Sequence, residues 1–537
     1  MKHKVWLIIA LLAALLTIDD AFAATYYVKP DGNDAAAGTS DATAWKTIAK
    51  VNSFNFQPGD DVYFKCGGTY FTNSTRLYID WTGTSSNPVT IGAYYLNNGK
   101  ETIGVSGGKP IFTGTYWMGG PYFGFVEAAE GTKYIIVENI RVQNATAYGI
   151  YIFRSPNAIV RNCETFYTYS SGIMVVFSEN CLIQNNVVEE AVTANRTNES
   201  LNYYMSMWGG LPAALSVVRS SHNTLIENNT VKNSWGGECL GSYFNNDNVT
   251  IRNNIIYGIP KIGIYLSGNI TNNTVESNLI YGTNNTNFMM WVKEGSNWIK
   301  APGYGIALDD EGAFSFEYRC EGMPPGDKRC RSKNNKAFNN LIANCRAAFQ
   351  FGSSWEGVPI ESFHVYNNTA VACKYGFQTW QGTTFVNFIF KNNLITCDNP
   401  SSCYNYSGPS NLTGITFDYN IWPQSPSTPV AGPNDRVSSP NELSKTSSWR
   451  SLVGGDLSPR DFSLTPASRA INAGITIDNS NARAIDCAGA DAAPYNLSLL
   501  PLEDQNAHGS RWEIGACIYR ESARVKLPPP GSLAIIP

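Results

Sequence analysis

The fold is decided by residues 225–281, LIENNTVKNSWGGECLGSYFNNDNVTIRNNIIYGIPKIGIYLSGNITNNTVESNLIY. One phrase stands there three times, as LIENNTVK (225–232), TIRNNIIY (250–257) and TVESNLIY (274–281). Outward from this stretch the phrase recurs as IVRNCETF (159–166), LIQNNVVE (182–189), AFNNLIAN (337–344), HVYNNTAV (364–371) and FKNNLITC (390–397). Where no insert intervenes, its Asn return roughly every 23–28 residues, the mark of a repeat architecture. A second phrase lies between the copies: a small residue, an apolar one, any residue, another apolar one. It reads GIYI (149–152), GIMV (172–175), ALSV (214–217), CLGS (239–242), GIYL (263–266), GIAL (305–308), AFQF (348–351) and GFQT (376–379). These runs are short, alternating and rich in β-branched or aromatic residues, so they predict strands.

A short strand at a fixed period cannot bury a face alone, but stacked coils share one continuous core. Neighbouring strands then stand ~4.7–4.9 Å apart. Asn suits the corners because it tolerates left-handed backbone and its amide can bond the same amide one coil away. The many N-x-S/T matches are a by-product of such corners. The expected class is all-β, a parallel β-solenoid.

The composition agrees. Of 537 residues, 43% are hydrophobic and 12% aromatic, enough to build a large core, while only 15% are charged. A net charge of −4 argues against nucleic acid as a partner. The 55 Asn make up about a tenth of the chain. The four His disfavour His-centred metal sites and Ser–His–Asp chemistry. Residues 1–23 read as a secretory signal: Lys2 and Lys4, an apolar run from Val5 to Leu16 too short to span a bilayer, then Ala21-Phe22-Ala23. The mature chain is expected from about Ala24, secreted or periplasmic, with no membrane insertion. Twelve Cys in an exported chain imply disulfides. Short loops suggest Cys320–Cys330 and Cys397–Cys403, and Cys487–Cys517 is a looser pairing. Cys345 and Cys373 each follow the first Asn of their phrase by six residues, which predicts a bond between adjacent coils.

The opening TYYVKPDGNDAAAGTSDATAWKTIAKVN (25–52), with PGDDVYFKCGGTY (58–70) and GTSSNPVTIGAYY (83–95), resembles that of secreted bacterial right-handed parallel β-helix proteins. DFSLTPASRAINAG (461–474) and WEIGACIY (512–519) resemble their closing segment. The resemblance implies the pectate-lyase-like superfamily and hence a right-handed parallel β-helix with an N-terminal cap and a C-terminal packing segment. That superfamily holds polysaccharide lyases, glycoside hydrolases, epimerases and non-catalytic adhesins. Of the polygalacturonase motifs only Asp309-Asp310 is present, and no lyase Lys or Arg base carries over to a numbered position.

The expected organisation is an N-terminal cap and first coils (24–130), then regular coils (131–425) with inserts near 191–213, 284–303 and 312–333. A Ser/Pro-rich connection (426–460), a C-terminal cap segment (461–519) and a Pro-rich tail (520–537) follow.

Aligning the second phrase places residues two and four positions after its small residue on the outside, in columns expected to face solvent. One column holds Tyr151, Ser216, Tyr265, Ala307, Gln350 and Gln378. The other holds Phe153, Val218, Tyr243, Ser267, Asp309, Gly352 and Trp380. Aromatic faces cover the apolar faces of sugars and amides bind hydroxyls. Tyr243, Tyr265, Gln350, Trp355, Gln378, Trp380, Arg219 and Glu238 are therefore candidate substrate-binding residues for a polysaccharide. Asp309, Asp310 and Glu311 stand in a row between two inserts, and Glu356 lies one coil on; these four are the candidate catalytic acids. In a hydrolase two of them act as acid and as base or nucleophile. In a lyase Asp309, Asp310 and Glu311 hold Ca²⁺ against a uronate carboxylate. The expected activity is cleavage of an extracellular polysaccharide by a monomer, with a non-catalytic glycan-binding or adhesive surface protein as the alternative.

Overall fold

The computed structural model describes residues 23–71, 75–114, 124–195, 213–309, 331–352, 359–380, 383–406, 412–439, 441–477, 482–489 and 502–520. One coil shows the construction. Strands Ile159–Arg161, Glu164–Phe166 and Ile173–Val176 run in three directions around the axis. The next strand, Leu182–Gln184, lies on Ile159–Arg161 in parallel register. Among the described residues repetition builds three long sheets of stacked parallel strands: sheet one with 14 strands, of which Lys100–Ile103 alone pairs antiparallel at its side, sheet two with 13 and sheet three with 11. The molecule is a right-handed parallel β-helix, about 60 Å long at one strand spacing per coil.

The Asn pairs divide their labour. The first member takes the left-handed turn, as at Asn185, Asn228, Asn253, Asn339, Asn367 and Asn392. The second is buried and forms a ladder through Asn186, Asn229, Asn254, Asn278, Asn340, Asn368, Asn393 and Asn420. Each rung uses both halves of its amide. The Asn254 oxygen accepts from the Asn229 backbone N–H (2.9 Å) and side-chain N–H (3.0 Å). Its own Nδ2 donates to Asn278 Oδ1 and Ile226 O. Asp435, which only accepts, ends the ladder beyond Asn420.

Inside the coils, residues such as Val160, Ile183, Ile226, Ile251 and Val275 stack in register and are fully buried. At the N-terminal end Trp45, Tyr26, Phe54 and Phe56 pack ring on ring over the first coils.

The outer faces differ. Sheet two's outer column Ile255, Leu279, Leu341, Leu394 and Ile421 is covered by the chain's own C-terminal segment, through Leu443, Trp449, Leu452, Leu457, Phe462 and Ile514. Sheet one's outer face carries in-register charge pairs, Arg161 on Glu138 and Arg252 on Glu227. Sheet three's outer face carries tyrosines, amides and acids.

The disulfides Cys397–Cys403 and Cys487–Cys517 are formed, with Cα atoms 5.4 and 5.5 Å apart. Cys320 and Cys330 lie outside the described residues. The expected Cys345–Cys373 bond is absent: both are buried free thiols. They do stand on adjacent coils, two residues past the Ala343–Val371 register pair. Side chains at equivalent points of stacked coils project in parallel, so their Cβ atoms keep roughly the ~4.8 Å strand spacing. A disulfide needs about 3.5–4.5 Å between Cβ atoms. Each thiol donates instead to a carbonyl two residues back, Cys345 to Ala343 O at 3.3 Å and Cys373 to Val371 O at 3.5 Å, and burial pushes the Cys345 thiol well up.

Candidate functional site on sheet three

The columns have the register the spacing predicts. Tyr151, Met174, Ser216, Gly241, Tyr265, Ala307, Gln350 and Gln378 follow one another strand by strand. Phe153, Val176, Val218, Tyr243, Ser267, Asp309 and Gly352 form the second column. Trp380 follows, its N–H bonded to Phe351 O.

The expectation that these columns face solvent is corrected. They point away from the coil interior, but most are buried. Tyr148, Tyr151, Met174, Val176, Val218, Tyr243, Tyr265, Tyr304 and Ala307 form an apolar layer of their own. Rungs one strand spacing apart leave large side chains no room to stand separately, so they lie against one another. Tyr243 folds over Gly241 and the Trp380 ring covers Gly352, positions where any Cβ would collide with those rings.

At the C-terminal half of this face Asp309 ends strand Tyr304–Asp309 and is 2% exposed. Diagonally beside it, Gln350 is 2% and Gln378 9% exposed, and the two are register partners. Both side-chain carbonyl oxygens are buried and, among the described residues, neither accepts a hydrogen bond. Asp310, Glu311, Trp355 and Glu356 lie outside the described residues. Among the described residues no group of three or more His, Cys, Asp or Glu is placed to hold a metal ion.

Two rungs earlier Glu238, 5% exposed, is held by Lys261 Nζ at 3.0 Å, and the Tyr243 hydroxyl lies 3.5 Å from its other oxygen. Tyr265 meets the Tyr243 ring edge-on at 5.4 Å. The structure thus brings Glu238, Tyr243 and Tyr265 into one cluster and Asp309, Gln350, Gln378 and Trp380 into another. Arg219 belongs to neither and stands at the rim, 5.9 Å from the Phe177 ring.

Several charged residues here escape sequence reasoning. Lys261, Arg346 and Lys374 occupy equivalent corner positions before this sheet. Arg346 and Lys374 share Glu294, at the tip of the hairpin Met290–Glu294/Asn297–Ala301, and the Lys374 hydrogen bond is the main force holding its carboxyl below the usual range. Glu127 sits at the other end of the face, 3.3 Å from Arg76, with its pKa raised by burial. Projecting the sheet register one residue back from each strand would have found the basic corner column. The hairpin's return onto it has no such signal.

A family model described as the right-handed β-helix region matches residues 47–206 and 213–395. A lacto-N-biosidase of Bifidobacterium longum subsp. longum is 24% identical over 321 residues, 52% of this chain and 18% of that protein. Pectate lyase PEL9 of Emericella nidulans is 38% identical over 94 residues, 18% of this chain and 20% of that one. The chain thus spans about a fifth of the length of these curated relatives. Among solved structures, pectate lyase Pel9A aligns over 92% of this chain and 96% of its own, with 14% identity and a TM-score of 0.45. With the model matching well over half its length, and three parallel sheets coiled about one core, this chain belongs to the right-handed β-helix family.

Proposed function

We propose that this protein is an exported enzyme that cleaves an extracellular polysaccharide on the outer face of sheet three, around Asp309. The observation that carries this reading is the Gln350–Gln378 pair. Two buried amide oxygens with no donor among the described residues are costly to fold around, about 1–3 kcal/mol each. A sugar's hydroxyls supply the missing donors, and the Trp380 ring beside them offers a flat apolar face. Among the described residues Asp309 is the acid nearest that position by register. The names of the curated relatives, a biosidase and a pectate lyase, support glycan cleavage. The disulfides Cys397–Cys403 and Cys487–Cys517 support an oxidising, extracytoplasmic setting. Among the described residues no helix is long and apolar enough to cross a membrane. Asp310, Glu311 and Glu356 remain candidate partners of Asp309, with Ca²⁺ a candidate ligand of the acidic run.

The test is the full chain on a panel of uronate-containing and neutral polysaccharides, with and without chelator. New ultraviolet absorbance marks a lyase; new reducing ends without absorbance mark a hydrolase. Asp309→Asn should abolish whichever appears. Retention of glycan by the wild type with neither product would establish the binding-protein alternative and overturn cleavage.

A further inference from the structure

The corner that leaves sheet three is built unlike the other corners. Successive coils place Arg154, Phe177, Arg219 and Phe244 there, each above the last, as their backbone bonds show: Arg154 N–H to Val176 O, Arg219 N–H to Tyr243 O, Phe244 N–H to Ser267 O. All four adopt left-handed backbone, with φ of 47°, 51°, 57° and 59°. Elsewhere the same backbone demand is met mostly by Asn, as at Asn157, Asn180, Asn223, Asn248, Asn272 and Asn334 in the corner before sheet one. Left-handed backbone disfavours a bulky side chain, so Phe and Arg here work against local preference.

The side chains alternate as well as the sequence does. The Arg154 guanidinium lies 5.3 Å from the Phe153 ring and 5.2 Å from the Phe177 ring, and the Arg219 guanidinium lies 5.9 Å from the Phe177 ring. Phe177 is 38% exposed, among the more exposed large apolar residues described. Arg154 also pairs with Glu130, but both side chains are about half exposed, a setting in which an ion pair contributes little and exchanges readily. The strip spans about 14 Å at one strand spacing per coil and points along the axis toward the rung of Asp309.

We infer that this Arg154–Phe177–Arg219–Phe244 strip is an accessory binding site for an acidic polysaccharide chain. The phenylalanine rings take the C–H faces of the sugar rings and the guanidiniums take carboxylate or sulfate groups, which suit a planar fork of donors. The inference rests on the reading of sheet three as a glycan site and adds the charge of the chain and a second place of contact.

The test uses substitutions the fold itself employs at left-handed corners: Arg154→Asn, Phe177→Asn and Arg219→Asn in the full chain. Affinity is measured by isothermal titration and by retardation in gels containing polygalacturonate, a sulfated galactan or a neutral galactan. The wild type should bind polygalacturonate, the sulfated galactan or both more tightly than the neutral polymer, and the arm that binds identifies the anionic group. Each Arg→Asn should weaken that binding about tenfold and flatten its salt dependence. Phe177→Asn should weaken it while leaving the melting temperature unchanged or raised. Wild-type affinity in all three variants, with polysaccharide still cleaved, overturns the strip but not the cleavage site. A fall in melting temperature for Phe177→Asn without loss of binding shows the strip to be packing and also overturns it. A wild type that neither binds nor cleaves any polymer overturns both readings.

Discussion

Asn254 shows what one side chain does in this fold. It accepts from one neighbouring coil and donates to the next, so its removal strands groups on both sides in a dry interior. Asn254→Ala should cost about 3 kcal/mol in denaturant unfolding. Its neighbour Asn253, at φ 55°, serves the turn alone. Asn253→Gly should therefore stay within about 0.5 kcal/mol of wild type. Equal costs at the two positions would refute the division of labour. Gln350 makes the opposite trade. Its buried oxygen has no donor among the described residues, so Gln350→Leu should raise stability by about 1 kcal/mol while lowering kcat/KM on the cleaved polymer about tenfold. A destabilised Gln350→Leu would mean that the amide serves the fold. Asp309 and the two Gln were legible in the sequence because strand alternation places them. Their burial was not, because it depends on how the Tyr243 ring falls across Gly241 of its own strand and the Trp380 ring across Gly352 of the neighbouring coil.

Among the elements, the C-terminal segment follows different rules from the coils. It lies across sheet two, with Ala516 N–H bonded to Thr369 Oγ1 and Gly515 N–H to Asn392 O. Glu513 is enclosed there, and burial pushes its pKa up to about 7. An acid whose folded pKa is raised binds a proton in the native state that the unfolded chain has already lost. Its contribution is therefore most favourable below the ordinary glutamate value and declines as pH rises to about 7. Melting curves should show this decline, and Glu513→Gln should remove it. A Glu513→Gln profile parallel to wild type would place the titration elsewhere. The Cys487–Cys517 bond closes this segment over a sequence separation of 30, and Cys487→Ala should cost about 3.6 kcal/mol in a chain-entropy account. Sequence resemblance pointed to this segment but not to its contact surface. The repeat phrase lends no register to residues outside the coils, so Leu443, Trp449 and Phe462 could not be matched to Ile255, Leu279 and Leu341 in advance.

At the scale of the whole molecule, the repeat dictates almost everything about the frame. Each coil contacts mainly its neighbours, so a phrase returning every two dozen residues suffices to set sheet order and register. The same logic does not decide bonding at Cys345 and Cys373, which stack on adjacent coils yet remain free thiols. It was silent on charge pairing between coils, such as Glu238 with Lys261, because either residue alone is an ordinary surface type. The outcome is a rod with one side sealed by its own terminus, one laced by charge pairs, and one carrying rings, amides and acids. The most direct measurement is a crystal structure of Asp309→Asn with an oligosaccharide of the polymer that the wild type cleaves. The account predicts sugar density along sheet three, with hydroxyls donating to the side-chain oxygens of Gln350 and Gln378 and a ring against Trp380. Sugar bound on sheet one, or density that leaves both oxygens without a donor, would contradict it.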